Sequence, residues 1–263
     1  MNRVVSAEMS WRQIEAAVQR GAAAIFPLAS TEEHGPHAPT GDYKATAEIA
    51  RRVAERTGDI AFPCLPFGYS EYFRNYSGTI TLQHDTLFRV VEDVVNCLID
   101  QGFKHIILLN GHKGNEAILL PLARKVRRKQ GLLLPIVSPF GFALTPALQK
   151  ELYGEQPIGH GAEPMASIMM YLFPDLVDMD LVDDWDTRTF HGLAPVGLNG
   201  LRFEEVTVAF PLDMEDITPD SGSLTDPRPA SAEKGQRIVE ASVDRIARFV
   251  TWFKELEPTL ASR

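Results

Sequence analysis

Apolar runs of strand length alternate along this chain with segments of helical periodicity. The clearest run is His105–Asn110 (His-Ile-Ile-Leu-Leu-Asn), and others occupy residues 22–28, 60–65 and 132–137. Strands that are apolar throughout are buried on both faces, which is typical of parallel sheets with helical connections. The pattern therefore predicts an α/β fold with a mainly parallel central sheet flanked by helices on both faces.

Helical patterns fill the segments between these runs. Ser10 and Gln13 have the spacing of a capping box, which predicts a helix from about residue 11 to 20. The stretch from about residue 183 to 228 has no clear period, and we expect hairpins or an inserted loop layer there. Since neither repeats nor low-complexity linkers divide the chain, we expect one domain over residues 1–263. Further helices are predicted at about residues 44–57, 85–100, 115–129, 163–173 and 230–256.

Charge and cysteine content exclude several classes of function. The formal net charge of −9 is not offset by a basic face, which argues against nucleic-acid binding. The two cysteines, Cys64 and Cys97, are too few for a disulfide framework. No run approaches the ~20 apolar residues of a membrane span, and the N-terminus lacks the apolar stretch of a signal peptide. We therefore expect a soluble cytoplasmic protein without nucleic-acid or membrane partners.

Three segments concentrate carboxylates and imidazoles between glycines. Residues 32–42 and 110–115 each follow a predicted strand, and residues 159–163 lead into a predicted helix. Ligands of open α/β sheets bind beyond the carboxyl ends of the strands, so we expect these side chains to converge. Acids and histidines without thiolates are ligands of zinc, manganese and iron, and this mixture suits two divalent ions bridged by a carboxylate.

These three segments resemble the signature segments of the creatininase (creatinine amidohydrolase) family and occur in the same order. They cover Leu28–His37, Asn110–Asn115 and Gly159–Glu163. Weaker similarity at residues 66–71, 77–80 and 226–235 extends the resemblance over most of the chain. The resemblance implies an α/β fold and a binuclear metal centre that contains zinc, manganese or iron. It also implies a homo-oligomer, commonly a hexamer.

The resemblance also implies roles for individual residues. Glu32, Asp42 and His112 would hold one ion, whereas His34, Asp42 and Glu163 would hold the other, with Asp42 bridging. Glu163 is also expected to be a catalytic residue. We expect His160 to deliver a proton to the leaving group or, alternatively, to orient a ligand carboxylate. The neighbouring or substrate-pocket residues are expected to be Glu33, His37, Ser70, Tyr72 and Arg74, with an ordinary surface loop as the alternative for the last two.

The chain departs from the family pattern close to the predicted ions. The spacing from His34 to Asp42 is one residue shorter than is common, and Glu33 stands where glutamine is usual. Creatininase places a ligand acid two residues after the motif histidine; that position is Gly114 here, which transfers the ligand role to Glu163. Residues 113–159 contain no tryptophan, whereas creatininase carries a tryptophan lid in this interval, so creatinine is not the expected substrate.

The predicted function is metal-dependent hydrolysis of a small molecule. Hydroxide formed at the ions would attack the carbonyl of a cyclic or amide substrate and break a carbon–nitrogen bond other than a peptide bond. One alternative is a carbon–carbon bond hydrolase that opens the ring of an oxidised inositol, of the diketo-inositol or 3-dehydro-inosose type, because the polar loop at residues 70–76 leaves room for a hydroxylated ring. Another is a non-catalytic metal-binding assembly protein, against which the presence of every ligand type argues.

Overall fold

The carboxyl ends of two parallel strands lie side by side at the centre of the fold. The computed structural model describes residues 3–182, 186–257 and 259. Its main sheet has four parallel strands in the order β2-β1-β3-β4. Leu28 at the end of β1 pairs with Asn110 at the end of β3. The strands are β1 (Ala24–Leu28), β2 (Ile60–Ala61), β3 (Ile106–Asn110) and β4 (Ile136–Val137).

Helices cover both faces of this sheet, which confirms the predicted fold class. In β3, Ile106 and Leu108 pack into one layer and Ile107 and Leu109 into the other, and all four are 0% exposed. Burial on both faces is the reason that the strands are apolar throughout. The first layer contains α1 (Trp11–Gln19), α3 (His84–Asp100) and α4 (Glu116–Gln130). The second contains α2 (Asp42–Thr57), α5 (Pro139–Ala143), α6 (Pro146–Tyr153), α7 (Met165–Leu172) and α9 (Ala232–Lys254).

Local capping explains where several of the helices begin. The predicted capping box is confirmed, since Ser10 and Gln13 each accept a hydrogen bond from the backbone N–H of the other. The short helices α5 and α6 were not predicted. Each begins with a proline that follows Ser138 or Thr145, and these hydroxyls accept a hydrogen bond from a backbone N–H of the first turn. Their start signals are clear, but the helices are too short to show a periodic pattern.

The hairpins expected after residue 183 are confirmed for the residues that the structure describes. A three-stranded antiparallel sheet has the order β5-β6-β7, and the short helix α8 (Met214–Ile217) follows it. Its strands are β5 (Ala194–Pro195), β6 (Gly200–Phe203) and β7 (Val206–Ala209). Over the described ranges, none of the helices combines the length and apolar character needed to cross a membrane.

The helices α7 and α9 touch at Gly235, where no side chain fits. A Cβ on Gly235 would lie 1.9 Å from the carbonyl oxygen of Ser167 and 2.9 Å from the Cβ of Tyr171. The Ser167 hydroxyl donates to the carboxylate of Glu163 at 2.7 Å. This close contact therefore fixes the position of the segment that precedes α7, which contains one of the three donor-rich motifs.

Replacement Gly235→Ala tests this packing. We expect it to lower the free energy of unfolding by about 1–3 kcal/mol, because overpacking between the two backbones outweighs the better helix propensity of alanine. Urea denaturation measures the change. The control Gln236→Ala alters an exposed position on the same helix and should change the stability by less than about 0.5 kcal/mol. Equal stabilities of the two variants would contradict the packing argument.

Candidate metal centre

The donor-rich segments meet at the carboxyl edge of the main sheet. Glu32 follows β1 and His112 follows β3, and the backbone N–H of Gly111 donates to the carbonyl oxygen of Leu28 at 2.9 Å. Asp42, expected in the loop after β1, is instead the first residue of α2. The N-terminus of a helix favours a carboxylate. Two strand ends and one helix start therefore bring Glu32, Asp42 and His112 together.

Among the residues that the structure describes, these three side chains form the first of two groups that could hold a metal ion. Their exposed fractions are 2% for Glu32, 3% for Asp42 and 4% for His112. The Nδ1 atom of His112 lies 3.1 Å from Oε1 of Glu32 and 3.6 Å from Oδ2 of Asp42. One ligand atom from each residue lies within 4.8 Å of the others. The spacing suits a divalent ion with bonds of about 2.0–2.2 Å.

A hydrogen bond to a backbone carbonyl determines which ring nitrogen of His112 carries the lone pair. Nε2 of His112 lies 2.7 Å from the carbonyl oxygen of Tyr69, which can only accept. Nε2 therefore carries the hydrogen atom, and the lone pair of the neutral ring is on Nδ1. That lone pair faces Glu32 and Asp42, so a cation is needed between the three residues.

The pKa shifts in this group also indicate that a positive charge is required between the three side chains. Burial alone would lower the pKa of His112, but the carboxylates of Glu32 and Asp42 raise it well above its ordinary value. Burial raises the pKa of Asp42, and the nearby charge of Glu32 adds to this effect. The pKa of Glu32 is lowered to about 2, because the facing imidazoles outweigh the burial that raises it. Without a metal ion, a proton on His112 compensates the carboxylates, and a divalent ion can replace that proton.

A second group contains Glu32, His34 and His160. Nε2 of His34 lies 3.9 Å from Oε1 of Glu32, and Nδ1 of His160 lies 4.0 Å from the same oxygen. The two imidazole rings are 4.7 Å apart between centroids. Again, one ligand atom from each residue lies within 4.8 Å of the others. Glu32 is thus common to both groups.

This arrangement differs from the pairing that the family resemblance implied. Asp42 was expected to bridge the ions, but it belongs to the first group only, and its Oδ1 accepts from the backbone N–H of Ser30 at 2.7 Å. Glu163 was expected beside His34, but among the described residues it belongs to neither group. Its carboxylate oxygens instead accept hydrogen bonds from Tyr153, Ser167 and Lys234.

Serine and tyrosine hydroxyls surround the first group. Ser70 donates to Oε2 of Glu32, and its Oγ lies 3.2 Å from Nε2 of His112. Tyr72 places its hydroxyl 3.4 Å from the same nitrogen. Ser30, which the sequence reasoning missed, lies 2.6 Å from Ser70 between the hydroxyl oxygens. Its position two residues after the end of the apolar strand β1 was the available signal, because ligands of such sheets bind beyond the carboxyl ends of the strands.

The other predicted neighbours have different surroundings. Glu33 accepts hydrogen bonds from Nε2 of His160 at 2.9 Å and from the backbone N–H of Gly35 at 2.8 Å. His37 is 2% exposed, and within the described residues neither ring nitrogen has a hydrogen-bond partner. Burial lowers its pKa. Arg74 is exposed and forms an ion pair with the glutamate three residues before it, so it corresponds to the surface-loop alternative.

Gly114 leaves no space for a side chain. A Cβ there would lie 2.3 Å from the carbonyl oxygen of Tyr69, 2.5 Å from Nε2 of His112 and 2.5 Å from the hydroxyl of Tyr72. An acid at this position could not approach the ions unless Tyr69 and Tyr72 moved. The close packing around Gly114 is therefore consistent with the absence of an acid two residues after the motif histidine.

The family model described as Creatininase, creatinine amidohydrolase, matches residues 7–250. The chain is 31% identical to a creatinine amidohydrolase of Pseudomonas putida, over 96% of this chain and 97% of the relative. It is 25% identical to a 3-dehydro-scyllo-inosose hydrolase of Thermotoga maritima, over 95% and 83% of the two chains. It is also 26% identical to a mycofactocin precursor peptide peptidase of Mycobacterium ulcerans, over 87% and 84%.

Solved creatininase structures share the fold. A manganese form of creatininase has a TM-score of 0.80 and 29% identity, and covers 97% of this chain and 100% of its own. A Zn-Zn type of a creatininase mutant has a TM-score of 0.82 and 28% identity, with the same coverage. The resemblance of the three donor-rich segments is thereby confirmed over nearly the whole chain. The protein is an enzyme that belongs to the creatininase family of metal-dependent amidohydrolases.

Proposed function

We propose that the chain is a binuclear metal-dependent hydrolase that breaks a carbon–nitrogen bond, other than a peptide bond, in a small cyclic or amide substrate. The observation that carries this proposal is the presence of two ligand groups that share the carboxylate of Glu32 at the carboxyl edge of the sheet. Two ions held by one shared carboxylate are a common arrangement for hydrolysis of amides and related bonds.

The residues present fit such a centre. The lone pair of His112 faces two buried carboxylates, a geometry that a cation stabilises. We propose Glu32, Asp42 and His112 as ligands of one ion, and Glu32 with His34 as ligands of the other. Oxygen and imidazole ligands without thiolates suit zinc and manganese, and also iron. When bound, the ions would polarise a carbonyl group and lower the pKa of water to about 7.

The surrounding side chains hold the ligands in place. Ser70 binds the carboxylate of Glu32, and the carbonyl oxygen of Tyr69 keeps the hydrogen atom of His112 on Nε2. Burial, together with the charges of Glu32 and Asp42, raises the pKa of Tyr72, so its hydroxyl stays protonated at neutral pH beside His112. These contacts orient the ligands before an ion or a substrate binds.

The substrate proposal excludes creatinine on the ground that residues 113–159 contain no tryptophan to form a lid. Small cyclic amides and formamides remain, since they present one carbonyl group to the ions. Family membership and the names of the relatives as hydrolases argue against the second alternative, a non-catalytic assembly protein. A homo-oligomer, hexameric by family resemblance, and a cytoplasmic location stay predictions.

A second candidate is hydrolysis of a ring carbon–carbon bond in an oxidised inositol. Two observations favour it: the similarity to a 3-dehydro-scyllo-inosose hydrolase, and the hydroxyl groups of Ser70 and Tyr72 next to the first ligand group. The same polarised carbonyl serves both reactions, so the metal centre alone does not choose between them.

A substrate panel with added manganese or zinc distinguishes the candidates. We expect ring opening of one or more lactams or deformylation of one or more formamides. Mass spectrometry of the products measures this turnover. Creatinine and unmodified peptides should not be turned over. Turnover confined to oxidised inositols would favour the second candidate. Turnover confined to peptides would contradict the proposed bond specificity.

Removal of the proposed ligands should remove both metal and activity. We expect Glu32→Ala and His112→Ala to reduce turnover to the background rate and to lose at least one ion, as measured by elemental analysis of the purified protein. The control His191→Ala changes an exposed histidine outside both groups and should retain metal and turnover. Chelation should abolish the activity of the wild type, and added zinc or manganese should restore it. Full activity in metal-free protein would contradict the proposed metal-dependent hydrolysis.

The hydroxyl of Ser70 should matter through the ligands that it orients. We expect Ser70→Ala to weaken metal binding by about 10–100-fold, the usual effect of losing a group that orients a ligand. Competition with a fluorescent zinc chelator measures this change. Ser77→Ala provides a matched control, because Ser77 is exposed in the same loop. Equal affinities in the two variants would show that Ser70 does not orient Glu32.

A further inference from the structure

The strand β7 forms an exposed edge of the three-stranded antiparallel sheet. Over the described part of the chain, β7 pairs with β6 on one side and with no strand on the other. All four of its residues, Val206–Ala209, are exposed. Such an edge offers backbone groups to another strand, and proteins usually protect it with lysine, proline or a bulge. None of these interrupts the uncharged segment from Val206 to Phe210.

The hydrogen bonds to β6 show which backbone groups of β7 point outwards. The N–H of Phe210 donates to the carbonyl oxygen of Asn199 at 3.0 Å, so Phe210 directs its backbone groups towards β6. Successive residues of a strand direct these groups to opposite sides. Thr207 and Ala209 therefore face away from β6, and each presents one donor and one acceptor at the outer edge.

The side chains on one face of this edge are apolar. Val206, Val208 and Phe210 recur with a period of two and share a face, on which Phe203 of β6 lies opposite Val206. The exposed fractions are 60% for Val206, 52% for Phe203, 47% for Val208 and 39% for Phe210. Adjacent apolar side chains that are exposed to this extent mark a surface that binds another protein.

The segment is its own complement in an antiparallel pair of strands. With a two-fold axis at Val208, Thr207 lies opposite Ala209 of the partner subunit, and their outward-facing groups can exchange two hydrogen bonds. Val208 then lies opposite Val208 of the partner subunit, and Val206 lies opposite Phe210 of the partner subunit. Apolar side chains thus meet apolar side chains across the seam. A two-fold interface requires a surface that is complementary to itself in this way.

Registers shifted by one residue fit less well than this central register. With the axis one residue later, Thr207 would lie opposite Pro211, which has no N–H to donate. With the axis one residue earlier, Phe210 would lie opposite Glu204 in the acidic turn between β6 and β7. In the central register, the Glu205 residues of the two subunits lie about 20 Å apart along the strands, so these like charges do not meet.

We propose that two copies of this chain associate through their β7 strands, which pair antiparallel across a two-fold axis at Val208. The two three-stranded sheets then join into one sheet of six strands, in the order β5-β6-β7-β7-β6-β5. The pairing uses the unpaired edge of both copies and covers the apolar side chains beside it. It involves no residue of the proposed metal centre, so it stands independently of the proposed function.

Cysteine cross-linking of the full-length chain tests this register. The native cysteines, Cys64 and Cys97, are first replaced by serine. We expect Val208→Cys to form a disulfide between subunits under mild oxidation, because Cα atoms at a non-hydrogen-bonded pair lie about 4.5 Å apart. Val206→Cys is the matched control, since its two copies would lie about 14 Å apart along the strands and should not cross-link. The double variant Val206→Cys/Phe210→Cys should cross-link again, because these positions face each other.

Sedimentation velocity provides an independent measurement. Thr207→Pro removes the outward N–H but no hydrogen bond to β6, so the edge strand can accommodate it. We expect the dissociation constant of the pair to rise by about tenfold or more, because two hydrogen bonds are lost across the axis. The control Thr207→Val keeps this N–H and should associate like the wild type, and circular dichroism compares the folding of both variants.

Three outcomes would overturn the proposal. One is an equal yield of disulfide from Val208→Cys and Val206→Cys on non-reducing gels. Another is unchanged association of a folded Thr207→Pro variant. The third is a wild type that remains monomeric at every concentration.

Discussion

The structure around the site depends on the lone pair of His112, which faces two carboxylates that are almost completely buried. Buried charges of one sign are costly unless a cation compensates them. The polypeptide nevertheless brings Glu32, Asp42 and His112 together from three separate elements. A fold that maintains such a cluster needs a proton or a metal ion in it, which is why the cluster indicates metal binding more strongly than its composition alone.

Hydrogen bonds to backbone carbonyl oxygens orient the histidine rings of the site. In His34, His112 and His160, one ring nitrogen faces a main-chain carbonyl oxygen, which leaves the lone pair on the other nitrogen. In each ring the other nitrogen lies 3.1–4.0 Å from Oε1 of Glu32. These hydrogen bonds to the main chain orient the three rings without an ion. Ser30 and Ser70 complete this arrangement on the carboxylate side.

The same centre can serve different reactions, as the names of the relatives illustrate. This chain combines Gly114, which lies next to the hydroxyl of Tyr72, with Glu33 beside His160. Both features lie beside residues of the two ligand groups, Gly114 next to His112 and Glu33 next to His160. Substrate choice, in contrast, belongs to the loops above the sheet, where function varies most within one fold.

The sequence by itself determined the fold class and the position of the site. Short runs that are apolar throughout favour strands buried on both faces, and parallel strands place the segments after Leu28 and Asn110 at one edge. Only the tertiary structure decided which of these side chains lie together and which hydrogen bonds Glu163 accepts. Those outcomes depend on contacts between distant residues, such as Gly235 against Ser167, which no local pattern records. The helices α5 and α6 escaped prediction because they are shorter than the periodicity that reveals a helix.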